Sequence, residues 1–148
     1  MIYTYYESIL LTDMKMKNTI FVLAFLICSF SNIYAQQDDP VKAAAGQLEA
    51  YNRQDIEGFL KWYSDDIEIY NFPDELVLKG KEKMRERYVN AWKLNPEQKA
   101  EVRERIVNGN TVIDKEHVTG RADGKDVRVI AVYRICNEKI CRVYFIRD

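Results

Sequence analysis

From residue 100 onward the chain carries four β-type segments in succession, each ended by a turn signal, and this run constrains the architecture most. Segments 101–107 and 111–119 are joined by Asn108-Gly109, a pair that favours a two-residue hairpin because both residues tolerate positive φ. Arg121-Ala122-Asp123-Gly124 marks the next reversal, and segments 126–136 and 139–147 form a last hairpin. Connections this short join antiparallel neighbours, so the C-terminal half reads as an antiparallel meander.

The residues upstream read as helices and one further hairpin. Asp39 caps a first helix with Pro40 at its first position, and Val41, Ala44, Leu48 and Tyr51 recur at helical spacing. Asp55 caps a shorter helix with Ile56, Phe59, Leu60 and Tyr63 on one face. Residues 67–72 alternate as a strand until Pro73 stops it, 75–79 form a return strand, and Gly80 breaks that strand. A third helix follows with Met84, Tyr88, Ala91 and Trp92 on one stripe, ending near Pro96. The order ααββαββββ predicts an α+β fold. Three helices must cover the apolar face of a strongly curved antiparallel sheet, which leaves a cone open at one end.

The N-terminus is of different material. Lys15 and Lys17 precede an apolar run over 19–30, followed by Ser31 to Ala35 and then Gln36, Gln37, Asp38 and Asp39. A basic start, a short apolar stretch and a small residue before polar sequence form a secretory signal, and the run is short for a membrane span. The expectation is an extension and signal peptide over 1–35, cleaved after Ala35, and one exported domain over 36–148, periplasmic or secreted and without a membrane anchor after cleavage. An uncleaved anchor is the competing reading, and Met14 or Met16 is the more natural start of such a signal. Removing 35 of the 148 residues leaves 113, enough for one core.

Of the three cysteines, Cys136 and Cys141 remain after that cleavage, and an oxidising compartment invites a disulfide between them. Register decides. A turn at Glu138-Lys139 sets them directly opposite, at bridging distance, whereas a turn at Asn137-Glu138 sets Cys136 opposite Lys139 and excludes a bridge. Asn is the better first turn residue, and both registers stay open.

Charge excludes several function classes. The 22 basic and 23 acidic residues nearly cancel, and the basic residues of 79–87 are interleaved with Glu82 and Glu86, so no nucleic-acid surface is expected. One histidine and two hairpin cysteines cannot build a closed metal site, and no glycine-rich phosphate loop or nucleophile elbow is present. The expectation is no metal and no cofactor.

Residues 55–66 (Asp-Ile-Glu-Gly-Phe-Leu-Lys-Trp-Tyr-Ser-Asp-Asp), the strand Ile67 to Pro73, the segment Lys79-Gly80-Lys-Glu-Lys-Met84 and the closing Val129-Ile-Ala-Val-Tyr-Arg-Ile135 and Ile140-Cys-Arg-Val-Tyr-Phe-Ile146 carry a resemblance. They are similar to the nuclear transport factor 2-like superfamily, which includes the SnoaL-like domains, over nearly all of 41–148. The resemblance implies a cystatin-like cone, a cavity for a small, partly apolar molecule and a homodimer formed through the sheet. The fold hosts isomerases, dehydratases, cyclases, binders and dimerisation modules, so function must come from the site.

Ketosteroid isomerase is the enzyme of that superfamily used for comparison. It moves a proton with an Asp base while a Tyr and a protonated Asp stabilise the enolate oxygen. By the resemblance the base falls on Asn71, the protonated Asp on Ala131 and the oxyanion-hole Tyr on Gln47, while supporting tyrosines match at Tyr63 and Tyr88. The wall of such a cavity is retained and its proton-transfer groups are replaced.

A relocated acid/base is sought in the strand 111–119. Asp114 and Glu116 share one face and Lys115 and His117 the other. Pointing inward, the two carboxyls are buried acid/base candidates; pointing outward, they are solvated charges, the commoner arrangement. His117 is the sole histidine and the sole side chain with an ordinary pKa near neutrality, yet no partner is identified to orient it. Three functions compete: a ligand-binding domain with or without catalysis, an isomerase- or dehydratase-like enzyme using Asp114, Glu116 or His117, and a non-enzymatic homodimerisation module.

Overall fold

The computed structural model describes residues 39–147. The expected signal segment, the cleavage after Ala35 and the boundary between 35 and 36 lie outside the described residues. Within them the order is α1 (Pro40–Arg53), α2 (Ile56–Leu60), β1 (Tyr63–Asn71), β2 (Glu75–Lys79), α3 (Lys81–Leu94), β3 (Lys99–Asn108), β4 (Thr111–Thr119), β5 (Val127–Cys136) and β6 (Lys139–Arg147). The α+β order ααββαββββ is the expected one.

The Asp39 carboxylate accepts from the backbone N–H of Val41 and Lys42 at 3.1 and 3.2 Å, capping α1. Its buried stripe is Ala43, Ala44, Gln47 and Ala50, while Val41 is exposed and Leu48 and Tyr51 sit on the flank. The stripe is rotated from the expected one because the helix lies close to its neighbours. A Cβ on Gly46 would stand 2.2 Å from the Trp62 ring, so only small residues fit that side. Asp55 caps α2 through the Gly58 N–H at 2.9 Å, and Tyr63, expected on that helix, opens β1 instead.

The six strands run in the order β2-β1-β6-β5-β4-β3. Every neighbouring pair is antiparallel except β1 with β6, which is parallel. The expected wholly antiparallel sheet is therefore corrected at that one junction, where the N-terminal hairpin docks on the last strand of the meander. The β3–β4 turn falls one residue later than expected: Asn108 pairs with Thr111, and Gly109 occupies the first turn position at φ 53°.

Two irregularities in register carry consequences. Between Val102 and Glu104 the pairing of β3 with β4 shifts by one residue. A regular ladder would set Glu104 beside Asp114. The bulge sets Arg105 there instead and sends Glu104 to the outer face, where Lys115 donates to it at 3.0 Å. In the last hairpin the turn is Asn137-Glu138, at φ 49° and 62°, and Cys136 pairs with Lys139. That register was expected to exclude a bridge, yet the Cys136–Cys141 disulfide is present, with Cα atoms 5.8 Å apart. A bulge between Arg134 and Ile135 draws Cys141 toward Cys136 on the outer face, closer than a regular diagonal pair.

The interior divides into two clusters. One is densely packed from Ile67, Ile69, Ile135 and Ile140 of the sheet against Phe59 and Met84 of the helices. The aromatic rings of Phe59, Tyr88 and Trp92 meet there at 4.6 to 5.8 Å between centroids. The smaller cluster, Ala100, Val118 and Val129 with Leu48, Tyr51, Val127 and Phe145 against it, lines a hollow.

Candidate functional site

The hollow is a cavity of about 400 Å³, within the range of small-molecule sites. Its walls are α1, α3 and the inner faces of β4, β5 and β6. Alternation along each strand decides which side chains enter: Glu116 and Val118 from β4, Val129 and Tyr133 from β5, Val143 and Phe145 from β6.

A chain of hydrogen bonds crosses the floor. The Tyr63 hydroxyl donates to Gln47 Oε1 at 3.0 Å, Gln47 Nε2 donates to the Tyr133 hydroxyl at 3.2 Å, and that hydroxyl donates to Glu116 Oε1 at 2.7 Å. Burial pushes Tyr63 and Tyr133 well above the usual phenol range, so both remain neutral donors. The chain ends on the carboxyl of Glu116, which is 7 % exposed. Burial raises its pKa to about 7; the Tyr133 hydrogen bond and Arg105 hold it down in part, and the Asp114 charge pushes it up. A carboxyl so poised exchanges a proton at neutral pH.

Asp114 also points inward and is fully buried, but it does not line the cavity. Arg105 Nε and Nη2 each reach one of its oxygens at 2.7 Å, a two-pronged pairing that leaves the carboxylate no free role. The outward orientation, the commoner one for such residues, is thus corrected for both acids, because the guanidinium and the Tyr133 hydroxyl meet them inside. His117 lies on the outer face, away from the cavity. Its Nδ1 accepts from Arg103 at 3.2 Å and its Nε2 faces Asp126 at 3.0 Å. Arginine only donates, so Nδ1 is the bare nitrogen and the proton resides on Nε2.

Of the residues suggested by resemblance, Gln47, Tyr63 and Tyr88 line the cavity and two do not. Asn71 ends β1, donates to Glu75 at 3.0 Å and accepts from Arg147, so both halves of its amide are used at the strand end. Ala131 is fully buried opposite Asp114. Its small side chain leaves a path for the Tyr133 hydroxyl, whose own pair is Val112, to reach Glu116 one step further along β4.

Two tyrosines hold free protons at the wall. Tyr51 accepts from Gln98 and has its own proton to give; Tyr88 makes no hydrogen bond among the described residues. Their rings stand edge to face at 6.1 Å, and both feel the charge of Glu116. Arg87 of α3, Arg121 of the β4–β5 loop and Arg147 of β6 also line the cavity, and the exposure of Arg87 and Arg147 sets them at its opening. Sequence reasoning missed Tyr133 and these arginines. Tyr133 shared its alternation with core residues, and nothing local to the arginines shows that three distant segments meet.

The comparisons agree with this geometry. The family model for the SnoaL-like domain matches residues 44–143. Among solved structures, an uncharacterised cystatin-fold protein of Novosphingobium aromaticivorans is 32 % identical, with TM-score 0.68, over 73 % of this chain and 97 % of its own. An LEH-like epoxide hydrolase of Mycobacterium tuberculosis is 14 % identical, with TM-score 0.64, over 74 % of this chain and 82 % of its own. A SnoaL-like protein of Jannaschia sp. CCS1, proposed as a polyketide cyclase, is 13 % identical, with TM-score 0.64, over 80 % and 91 %. No sequence among the curated proteins matches. With its cavity, its helix and strand order and the family match over most of the described residues, the chain belongs to the SnoaL-like domain family of the nuclear transport factor 2-like superfamily.

Proposed function

We propose that the domain takes up a small, partly apolar molecule bearing a carbonyl or hydroxyl group and that Glu116 moves a proton on it. The observation that carries this reading is the placement of one incompletely paired carboxyl in a cavity whose lining mixes valine, leucine and phenylalanine with tyrosine hydroxyls, held from behind by Tyr133. As carboxylate, Glu116 takes a proton from carbon next to the carbonyl; the electron pair moves onto the oxygen, where Tyr51 and Tyr88 have hydroxyl protons to offer; the same carboxyl returns the proton at another carbon. Atoms balance, and no cofactor enters the step. The epoxide hydrolase and the protein proposed as a polyketide cyclase share the fold, which supports small-molecule chemistry in this hollow.

The test is deuterium wash-in on an enolisable apolar ketone, β-tetralone, followed by proton NMR. Exchange above the buffer rate is expected, rising with pH to a plateau with a midpoint of about 7 and abolished by Glu116→Gln. Binding without enzyme-dependent exchange would reduce the domain to a binding module.

Export and self-association belong to the same proposal. The Cys136–Cys141 disulfide suits an oxidising compartment, and an intact, uncleaved chain in the native host would count against export. Ile130 is exposed on the outer sheet face with Ile113, Val132 and Tyr144 half-buried nearby, which supports a homodimer through that face. A monomeric mass by light scattering would remove it.

A further inference from the structure

Resting on that reading, we infer that the cavity is built for an organic acid, a molecule whose apolar body faces Glu116 with a neutral polar group and whose oxyanion is held at the opening by Arg87 and Arg147, beside Arg121. Among the described residues, the charged side chains lining the cavity are these three arginines and Glu116. Their distribution is polar in the geometric sense: the single acid is at the floor, and the cations stand at the opening.

The arginines differ in how far they are already satisfied. Arg121 is bound to Asp123 through Nε and Nη2, at 3.2 and 2.9 Å. Arg147 donates to the neutral amide of Asn71 and lies over the Phe145 ring at 4.8 Å; Glu75 bonds the Asn71 amide, and no ion pair joins it to Arg147. Arg87 makes no hydrogen bond or ion pair among the described residues. Two guanidinium groups from separate elements therefore line one cavity without an acidic counterpart among the described residues, and both act on the Tyr88 hydroxyl, lowering its pKa against the burial that raises it.

Local structure brings them there. Arg87 precedes Tyr88 on the α3 stripe that faces the cavity, and Arg147 follows Val143 and Phe145 at two-residue spacing on the inner face of β6. Arg121 follows Gly120, whose φ of +69° and close approach to the Glu97 carbonyl set the path of the β4–β5 loop. A Cβ there would stand 2.0 Å from that oxygen. A carboxylate is the natural complement, because guanidinium offers paired N–H donors to two oxygens and is less strongly hydrated than an ammonium. Leu48, Val118, Val129, Val143 and Phe145 supply the apolar share of the lining beside Tyr51, Tyr88, Asn95 and Gln98, so the ligand's body is partly apolar.

The test uses hydroxynaphthoate and its methyl ester, titrated by fluorescence against the folded domain. The acid should bind at least about tenfold tighter than the ester, and Arg87→Gln with Arg147→Gln should remove that preference while leaving ester affinity in place. Raising the salt concentration should weaken the acid alone. Equal affinity for acid and ester, or equal losses in the double variant, would overturn the oxyanion assignment and leave the cavity reading standing. Failure of both compounds to bind would overturn the cavity reading and this inference with it.

Discussion

The inner face of β4 crosses from the packed half of the interior to the hollow half, and two carboxyls on that face show what the crossing changes. Asp114 and Glu116 are two residues apart, buried, and chemically alike. Asp114 stands where the β3 bulge delivers Arg105, and both of its oxygens are taken by the guanidinium. Glu116 stands where the wall opens; it receives one hydroxyl and otherwise faces the cavity. One acid became structure and the other kept an open side toward the cavity. A buried carboxyl acquires a function where the surrounding packing leaves its partnership incomplete, because burial without a cation lifts its pKa into the working range.

The largest effect should come from breaking the packed side. Asp114→Asn leaves the Arg105 guanidinium, whose side chain is 22 % exposed, without its charge partner. A loss of about 3 to 5 kcal/mol in urea unfolding is expected. The same change removes a negative charge that raises the Glu116 pKa and frees Arg105 to lower it further, so the midpoint of the pH–rate profile should move down. A loss below about 1 kcal/mol would mean that the two acids are not as different as their partners suggest.

Glu116→Gln tests the hollow side and carries the opposite sign. A carboxyl whose folded pKa lies above its unfolded value binds more protons when folded, so the stability it allows is lost as pH rises from about 4.5 to about 7 and is flat beyond. The penalty across that window is roughly 3 kcal/mol at most, and part of it is relieved by water in the cavity. E116Q keeps an acceptor for Tyr133 and drops the charge. It should therefore be more stable than the parent above about pH 7, with the difference closing toward about pH 4.5, while exchange activity disappears. A pH-independent difference in melting temperature would break the assignment.

The smallest effect on the pH midpoint separates the opening from the floor. Gly120→Ala puts a Cβ 2.0 Å from the backbone oxygen of Glu97 at a positive φ, so the loop itself must move and the destabilisation exceeds the roughly 1 to 2 kcal/mol of the φ alone. Because the strain falls on the loop bearing Arg121, affinity for an organic acid should drop more than affinity for its ester, and the midpoint set by Glu116 should not move. A shifted midpoint would show that floor and opening are coupled.

Much of this was legible in the chain. Asp39 and Asp55 announced their helices through caps, the strands 75–79, 111–119 and 139–147 followed from alternation bounded by turn residues, and the order of elements implied helices laid on a curved sheet. These are local signals, written within a few residues of the backbone they direct. That Asp114 and Glu116 share a face also followed from the two-residue period of a strand.

Tertiary structure alone decided which way that face turns and what each acid meets there. The parallel seating of β1 on β6 is a choice of topology, and the bulge that exchanges Glu104 for Arg105 and the bulge that brings Cys141 to Cys136 are one-residue choices of register between strands. A one-residue slip reverses every side chain on a strand, and its free energy is set by partners far away in sequence. The convergence of Tyr133, Gln47 and three arginines on Glu116's cavity is of the same kind, since long-range packing places them and no local pattern encodes their distance.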